Sequence, residues 1–175
     1  VLVDFITNQI YDLLPGRKQH QLIDYFSKIY HSVRSEVRYV SMDMWDTYRD
    51  VASLFFKNAK ICVDSFHVVN LINRAFTQVR IRIMKSYKTD SEEYYLLKKF
   101  AWLLSKDYVN IPKNQMITIK KHISFLYRKS IHATSLVNSI ISINGELEAA
   151  YTLKDEFLTI NRTSTPANIE DRLNE

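Results

Sequence analysis

The sequence predicts an α/β fold followed by an all-helical part. Over residues 1–64, apolar segments of strand length alternate with amphipathic helical patterns, whereas residues 65–160 show only helical periodicity. The 175 residues include two glycines and three prolines, which is too few for the many turns of a β-sandwich or barrel. With 46% hydrophobic and 25% charged residues, the composition is that of a folded globular domain.

The predicted element order in residues 1–64 is β-β-α-β-α-β. Two apolar segments separated by Thr7-Asn8 predict a hairpin, and apolar residues at three- and four-residue spacing between 22 and 30 predict a helix. Strand, helix and strand follow as the pattern alternates. The predicted bounds are Val1–Phe5, Gln9–Leu14, 22–30, Val37–Met42, Asp46–Phe56 and Lys60–Val63.

Helical periodicity continues beyond Asp64. A capping signal at Thr89-Asp90-Ser91 opens one of these helices, and Pro112 opens another. Residues 161–175 contain Thr-Ser-Thr-Pro and scattered charges, which predicts a loose tail. The predicted helices span 66–87, 91–105, 112–128, 136–143 and 146–159.

Neither a membrane span nor a secretory leader is predicted. No apolar stretch approaches the roughly 20 residues needed to cross a bilayer, and the sequence starts in an alternating strand without a charged leader. We therefore expect a cytoplasmic protein without membrane contact. The single cysteine, Cys62, lies in an apolar run and is expected to be a buried, unreactive thiol.

Positive charge is concentrated in the middle of the chain. Residues 1–73 have eight basic and eight acidic side chains, whereas residues 74–130 have thirteen and four, a net charge of +9. Such a block is typical of a surface that binds a polyanion, although a solvated helix surface explains it equally well. The candidate polyanion-binding residues are Lys98 and Lys99 on one predicted helix and Lys120, Lys121, Arg128 and Lys129 on another.

Asp43 is the first candidate for chemistry, because it follows the predicted strand Val37–Met42. Ligands of open α/β sheets gather at the carboxyl ends of the strands, and an aspartate there is well placed to bind Mg²⁺. The alternative is that Asp43 caps the helix that follows.

Asp64 and His67 form a second candidate site at the end of the next strand. Three-residue spacing on the first helical turn brings the imidazole back towards the carboxylate. We expect the two side chains to lie near each other, at the carboxyl edge of the sheet and close to Asp43. The alternative, compatible with pairing, is that Asp64 caps the helix.

The chain resembles the DDE-type insertion-sequence transposases. The resemblance extends over about residues 1 to 160, and several motifs match in the same order. They are Leu-Pro-Gly-Arg at 14–17, Ser-Met-Asp-Met-Trp at 41–45, Asn-Ala-Lys at 58–60, Asp-Ser-Phe-His-Val-Val at 64–69 and Ala-Tyr-x-Leu-Lys-x-x-Phe at 150–157.

This resemblance implies a partial RNase H-like core over residues 1–64, with a helical insertion over 65–160. Asp43 corresponds to the second member of the Asp, Asp, Glu triad, which holds Mg²⁺ or Mn²⁺ for DNA cleavage and strand transfer. Asp64 and His67 match the family's Asp-x-x-His signature, and the basic block corresponds to DNA contact. A homo-oligomer is implied for the intact protein.

The other two triad members are not assigned to residues of this chain. In the family the first aspartate lies on a strand before the hairpin, and the glutamate lies on a helix beyond the insertion. Asp4 and Asp12 lie on the predicted hairpin strands, so neither is assigned as the first aspartate of the triad. Glu146, Glu148 and Glu156 are expected on a solvated helix face. We therefore expect an internal fragment that is inactive alone and binds no metal tightly.

Two other functions remain open at this point. One is a non-catalytic, basic helical module that binds nucleic acid without using Asp43. The other is a protein-interaction domain whose exposed apolar faces dock against the remainder of a larger protein.

Overall fold

The computed structural model describes residues 1–4, 6–120 and 128–164, and the chain divides into two compact units, Val1–Val68 and Val69–Glu175. Each unit has its own hydrophobic core. The architecture is mixed α/β, with short two-stranded sheets and several helices. Within the described ranges, no helix is both long and apolar enough to cross a membrane.

The first unit begins with the predicted hairpin. Strands β1 (Leu2–Asp4) and β2 (Gln9–Asp12) pair in antiparallel fashion. In the turn, the Asp4 carboxylate accepts a hydrogen bond of 2.8 Å from the N–H of Ile6, and Asn8 has a φ of 56°, which asparagine tolerates better than most residues. Hydrogen bonds from backbone N–H groups of the turn lower the pKa of Asp4.

Helices and parallel strands alternate in the rest of this unit, so the predicted order is confirmed with one short additional helix, α2. Strands β3 and β4 are parallel and pair in register without a break. Leu22, Phe26 and Val51 form the buried core between the helices. The elements are α1 (Gln19–Ser27), α2 (His31–Ser35), β3 (Tyr39–Met42), α3 (Asp46–Phe55) and β4 (Lys60–Val63).

Cys62 is exposed, so the expectation of a buried thiol was wrong. Side chains alternate between the two faces of a strand. Val40 of β3 and Ile61 of β4 are half-buried, whereas Cys62 lies on the opposite, exposed face. An apolar run in the sequence does not reveal that only one face of the strand pair is covered.

The second unit is built mainly from helices around a separate core. Leu97, Leu103, Leu136 and Leu147 are almost fully inaccessible to solvent and lie on four different helices. The elements are α4 (Ser65–Ser86), which begins in the first unit, α5 (Glu92–Lys99), α6 (Ala101–Leu104), β5 (Met116–Lys120), β6 (Arg128–His132), α7 (Ala133–Ile141) and α8 (Gly145–Thr163).

A β-hairpin replaces one predicted helix. The prediction of a helix over 112–128 was wrong, and with it the all-helical character of residues 65–160 and the placement of Lys120, Lys121, Arg128 and Lys129 on one helix. Strands β5 and β6 pair in antiparallel fashion from Met116 opposite His132 to Lys120 opposite Arg128. Side chains alternate between the two faces of a strand, and this alternation is present in the hairpin. Ile117, Ile119 and Ile131 pack on the core, while Thr118 and Ser130 are exposed.

Helix bounds in the second unit also differ from prediction. The helix expected over 91–105 is interrupted at Phe100, which ends α5 and precedes α6. The tail expected from 161 is still helical to Thr163, because α8 continues, and residues 165–175 lie outside the described residues.

Candidate active site

Asp43 and Asp64 directly follow two neighbouring parallel strands. The last residues of β3 and β4, Met42 and Val63, are paired, and the N–H of Asp64 donates a 2.8 Å hydrogen bond to the carbonyl of Met42. Both carboxylates are therefore attached at the carboxyl edge of the strand pair. This is the edge at which open α/β sheets bind their ligands.

His67 lies between the two carboxylates. Its Nδ1 is 3.3 Å from Oδ1 of Asp43, and its Nε2 is 4.0 Å from Oδ2 of Asp64. The expected proximity is therefore present, with the shorter distance to Asp43. The three side chains are between 38% and 47% exposed, so a substrate can reach all of them from solvent.

Asp43 does not cap helix α3. The N-cap position of α3 is Trp45, and the Asp43 carboxylate instead accepts a 2.6 Å hydrogen bond from the N–H of Met44 through Oδ1. The capping alternative for this residue is thus excluded. Its carboxylate is held by the adjacent backbone and by His67, which restricts its orientation.

Asp64 stands at the start of helix α4 and serves that helix as well as the site. Its Oδ1 accepts a 2.9 Å hydrogen bond from the N–H of Phe66, while its Oδ2 is the oxygen nearer His67. Capping and pairing therefore coexist, since each uses a different oxygen.

The donor set is compatible with a hard cation but is not a complete protein cage. Carboxylate oxygens are the ligands that Mg²⁺ prefers, and it fills its remaining positions with water and phosphate oxygens. Across the described part of the chain, no group of three or more His, Cys, Asp or Glu side chains is arranged to hold a metal ion. The chemistry available from this chain is one or two carboxylates at an open edge.

A cavity of about 510 Å³ opens next to Asp43. Leu2 of β1, Val40 of β3, and Leu22 and Phe26 of α1 are among the apolar residues that line it. Strands β1 and β3 each pair on one side only in the described part of the chain. Residues of two strands that each have one edge without a described strand partner therefore line the cavity, together with Asp43.

Comparison with known proteins decides the family. A family model described as a transposase, of the DDE class and ISL3 type, matches residues 1–175. The chain belongs to this transposase family. It is also similar to the transposase for insertion sequence element IS1001 of Bordetella parapertussis, with 23% identity over 157 residues that cover 89% of the chain and 34% of that protein. The transposase chain thus spans about a third of the length of this relative. No solved structure matches it.

The candidate DNA-binding residues of the transposase chain lie in its second unit. Lys98 and Lys99 are exposed in the last turn of α5, and the ammonium of Lys98 lies 5.5 Å from the ring centre of Tyr94. Lys120, Arg128 and Lys129 belong to the paired strands β5 and β6, and Lys121 lies outside the described residues.

Part of the positive block is not available to a ligand. Arg80 is 8% exposed, and its guanidinium donates a 2.7 Å hydrogen bond to the carbonyl of Leu97. Burial lowers the pKa of Arg80. Arg82 forms an ion pair with Glu146 of α8. The net charge of +9 therefore overstates the charge available to a ligand, because periodicity alone does not show which cations are buried or paired with an acid.

Proposed function

We propose that this transposase chain forms part of an RNase H-like core that cleaves and joins DNA during transposition. In this proposal Asp43 is a carboxylate of the metal-binding triad. The observation that carries it is the pair of solvent-accessible carboxylates at the carboxyl ends of β3 and β4, with His67 between them. Membership of the transposase family supports DNA as the substrate.

The contacts of Asp43 support a role in holding Mg²⁺ or Mn²⁺. Both the N–H of Met44 and the imidazole of His67 lie against Oδ1, so among the described residues Oδ2 is left for another ligand. Such a metal would supply activation of the attacking water molecule or DNA 3′-hydroxyl and charge stabilisation of the leaving oxygen. His67 and the adjacent backbone orient the Asp43 carboxylate, which lowers the cost of ordering it around a cation.

The cavity supports an RNase H-like sheet. The family's first aspartate lies on a strand that precedes the hairpin, and an extended segment between β1 and β3 would pair with both strand edges. Such a strand would carry its aspartate to the same edge as Asp43. We expect the backbone amide of Ser41, which points away from β4, to exchange hydrogen more slowly in the full-length transposase than in this chain. Equal exchange in both would argue against a strand in this cavity.

The proposed role of Asp43 is tested in the full-length transposase with Asp43→Asn. Strand cleavage should fall by at least about a hundredfold, because charge stabilisation by a metal is worth several kcal/mol. DNA binding and the melting temperature should change little, since the side chain is exposed. Asp50→Asn, on the exposed surface of α3, is the matched control and should retain activity. Cleavage retained in Asp43→Asn would remove this residue from the triad and favour a non-catalytic nucleic-acid-binding module.

We also propose that the basic residues of the second unit contact the DNA backbone. Lysine and arginine contacts to phosphates release condensed counterions, so affinity should fall steeply with salt and show little sequence preference. Replacing Lys98 and Lys99 with Glu should lower the slope of log affinity against log salt concentration. The same should follow from replacing Lys120, Lys121, Arg128 and Lys129 with Glu. An unchanged affinity and slope in both variants would make the block a solvated surface.

The intact transposase is further proposed to be a cytoplasmic homo-oligomer. Gel filtration of the full-length protein, with and without DNA, tests the oligomer, and elution as a monomer under both conditions would contradict it.

A further inference from the structure

Arg17 and Asp43 line the same cavity. Arg17 follows Gly16, and both residues line the cavity, as Ser41, Met42 and Asp43 do at the end of β3. The sequence pattern assigned no role to Arg17, although it belongs to the Leu-Pro-Gly-Arg stretch at 14–17. The fold thus places an arginine and the candidate catalytic carboxylate around one opening.

An aromatic side chain holds the guanidinium of Arg17 in place. Its central carbon lies 5.4 Å from the ring centre of Trp45, whose indole in turn packs edge-on against Tyr48 with ring centres 4.8 Å apart. A planar guanidinium on an aromatic face is restricted in position while its N–H groups remain available at the rim. Trp45 also directly precedes α3, so the support comes from a regular element of the fold.

The backbone next to Arg17 is fixed as well. The side-chain oxygen of Gln21, in α1, accepts a 3.2 Å hydrogen bond from the N–H of Lys18. A β-carbon at Gly16 would collide with the same side-chain amide of Gln21. The end of the Gln21 side chain, from the first turn of α1, therefore lies against the turn that carries Arg17.

Within the described residues Arg17 has no acidic partner, in contrast to two other cations of its unit. Lys28 pairs with Asp24 at 2.7 Å, and Arg49 pairs with Asp46 at 3.2 Å. In the described part of the chain, Arg17 has no carboxylate within ion-pair distance, and the contacts of Asp43 go to other groups. A positioned but uncompensated arginine that lines the same cavity as a carboxylate suits a ligand that carries its own negative charge.

We propose that Arg17 binds a phosphate of the DNA strand that enters the Asp43 site, with Trp45 holding the guanidinium for a bidentate contact. Phosphate matches the planar fork of arginine, which can donate two parallel N–H groups to two of its oxygens. This inference rests on the proposed function, since it takes DNA as the substrate of this site. The contact between Arg17 and a phosphate would position the DNA strand. The carboxylates cannot make such a contact, because they repel a phosphate whose charge is not neutralised.

The test uses the fluorescence of Trp45 in this chain. The sequence has two tryptophans, so Trp102→Phe leaves Trp45 as the single tryptophan, which is excited selectively at wavelengths where tyrosine does not absorb. Titration of this variant with a short DNA duplex in Mg²⁺ buffer should change the emission. Adding Arg17→Gln should abolish that change and lower the slope of log affinity against log salt by about 0.9, the contribution of one phosphate contact. Lys18→Gln, an adjacent and exposed charge change, is the matched control and should leave the emission change in place.

A second substitution at Arg17 and a cleavage assay complete the test. Arg17→Lys retains the charge but not the fork, so it should keep the salt slope and weaken the emission change. In the full-length transposase, Arg17→Gln should raise the DNA concentration needed for half-maximal cleavage. If Arg17→Gln leaves both emission and slope unchanged while circular dichroism shows a folded chain, Arg17 is only a solvated side chain. Loss of cleavage in Asp43→Asn is scored separately, so failure of the phosphate contact and failure of the proposed function are distinguishable.

Discussion

The buried amine of Lys154 provides a quantitative test of the second unit. Lys154 is 2% exposed on α8, and its ammonium donates hydrogen bonds to the carbonyls of Leu104, at 3.0 Å, and Lys106, at 2.7 Å. The ring centre of Tyr151 lies 4.2 Å away. Leu104 is the last residue of α6 and Lys106 lies just beyond it, so the Lys154 side chain connects α8 to this end of α6 and pairs with a carbonyl that the helix leaves unpaired.

Burial lowers the pKa of Lys154 from 10.5 to about 8, with partial opposition from the nearby carboxylates of Asp155 and Asp107. In the unfolded chain this lysine keeps its ordinary pKa. Between pH 8 and 10 the unfolded state therefore binds more protons, and the free energy of unfolding rises with pH. One pKa unit is worth about 1.4 kcal/mol, and allowing for partial solvation we expect a rise of about 1–2 kcal/mol over this interval.

Tyr151 sets the upper limit of the useful pH range. Burial raises the pKa of its hydroxyl, so above about pH 10 the unfolded tyrosine ionises while the folded one stays neutral. The unfolded state then binds fewer protons, and stability falls as pH rises further. The contribution of Lys154 is therefore measured between pH 7 and 10.

Urea unfolding of this chain, followed by circular dichroism at each pH, gives the required free energies. Lys154→Met keeps the length of the side chain and removes the titrating group, so its unfolding free energy should rise less between pH 8 and 10. Lys99→Met, on the exposed surface of α5, is the control and should keep the full rise. The same pH slope in Lys154→Met as in the unsubstituted chain would refute the assignment of this titration to Lys154.

The remaining predictions concern the site and the core. This chain alone should neither cleave nor join DNA with Mg²⁺ or Mn²⁺, and nicking that disappears in Asp43→Ala would contradict this. In the full-length transposase, His67→Ala should impair transposition more than it lowers the melting temperature, whereas parallel losses would indicate a structural role. Leu97→Ala in the core should lower the unfolding free energy by about 2–5 kcal/mol, and Leu71→Ala at an exposed position by less than about 0.5 kcal/mol; similar losses in urea titrations would contradict the burial seen here.

The sequence by itself determined the local elements of the first unit. Strand β4 was predicted with its observed bounds, Lys60–Val63, and the start of α3 at Asp46 was also correct. Apolar residues recur every two residues in a strand and every 3.6 residues in a helix. Because this periodicity involves only neighbouring residues, it predicts these elements without knowledge of the tertiary fold. The same patterns placed Asp43 and Asp64 at consecutive strand ends.

The hairpin of the second unit shows where periodicity is not enough. Ile119 and Ile123 suit a helix at four-residue spacing, but Ile117 and Ile119 equally suit one face of a strand. Whether this segment forms a helix or a strand depends on another segment of the chain. It is a strand because β5 pairs with β6, from Met116 opposite His132. Short apolar segments are ambiguous until their partners are known.

Only the tertiary structure decided the geometry of the site and the use of buried charges. Parallel pairing of β3 and β4 brings His67 within 3.3 Å of Asp43, closer than to its sequence neighbour Asp64 at 4.0 Å. Packing likewise buried Lys154 and Arg80, which sequence patterns count as surface charges. Spacing along the chain fixes which face of an element a residue occupies, but the groups that it meets there depend on non-local packing.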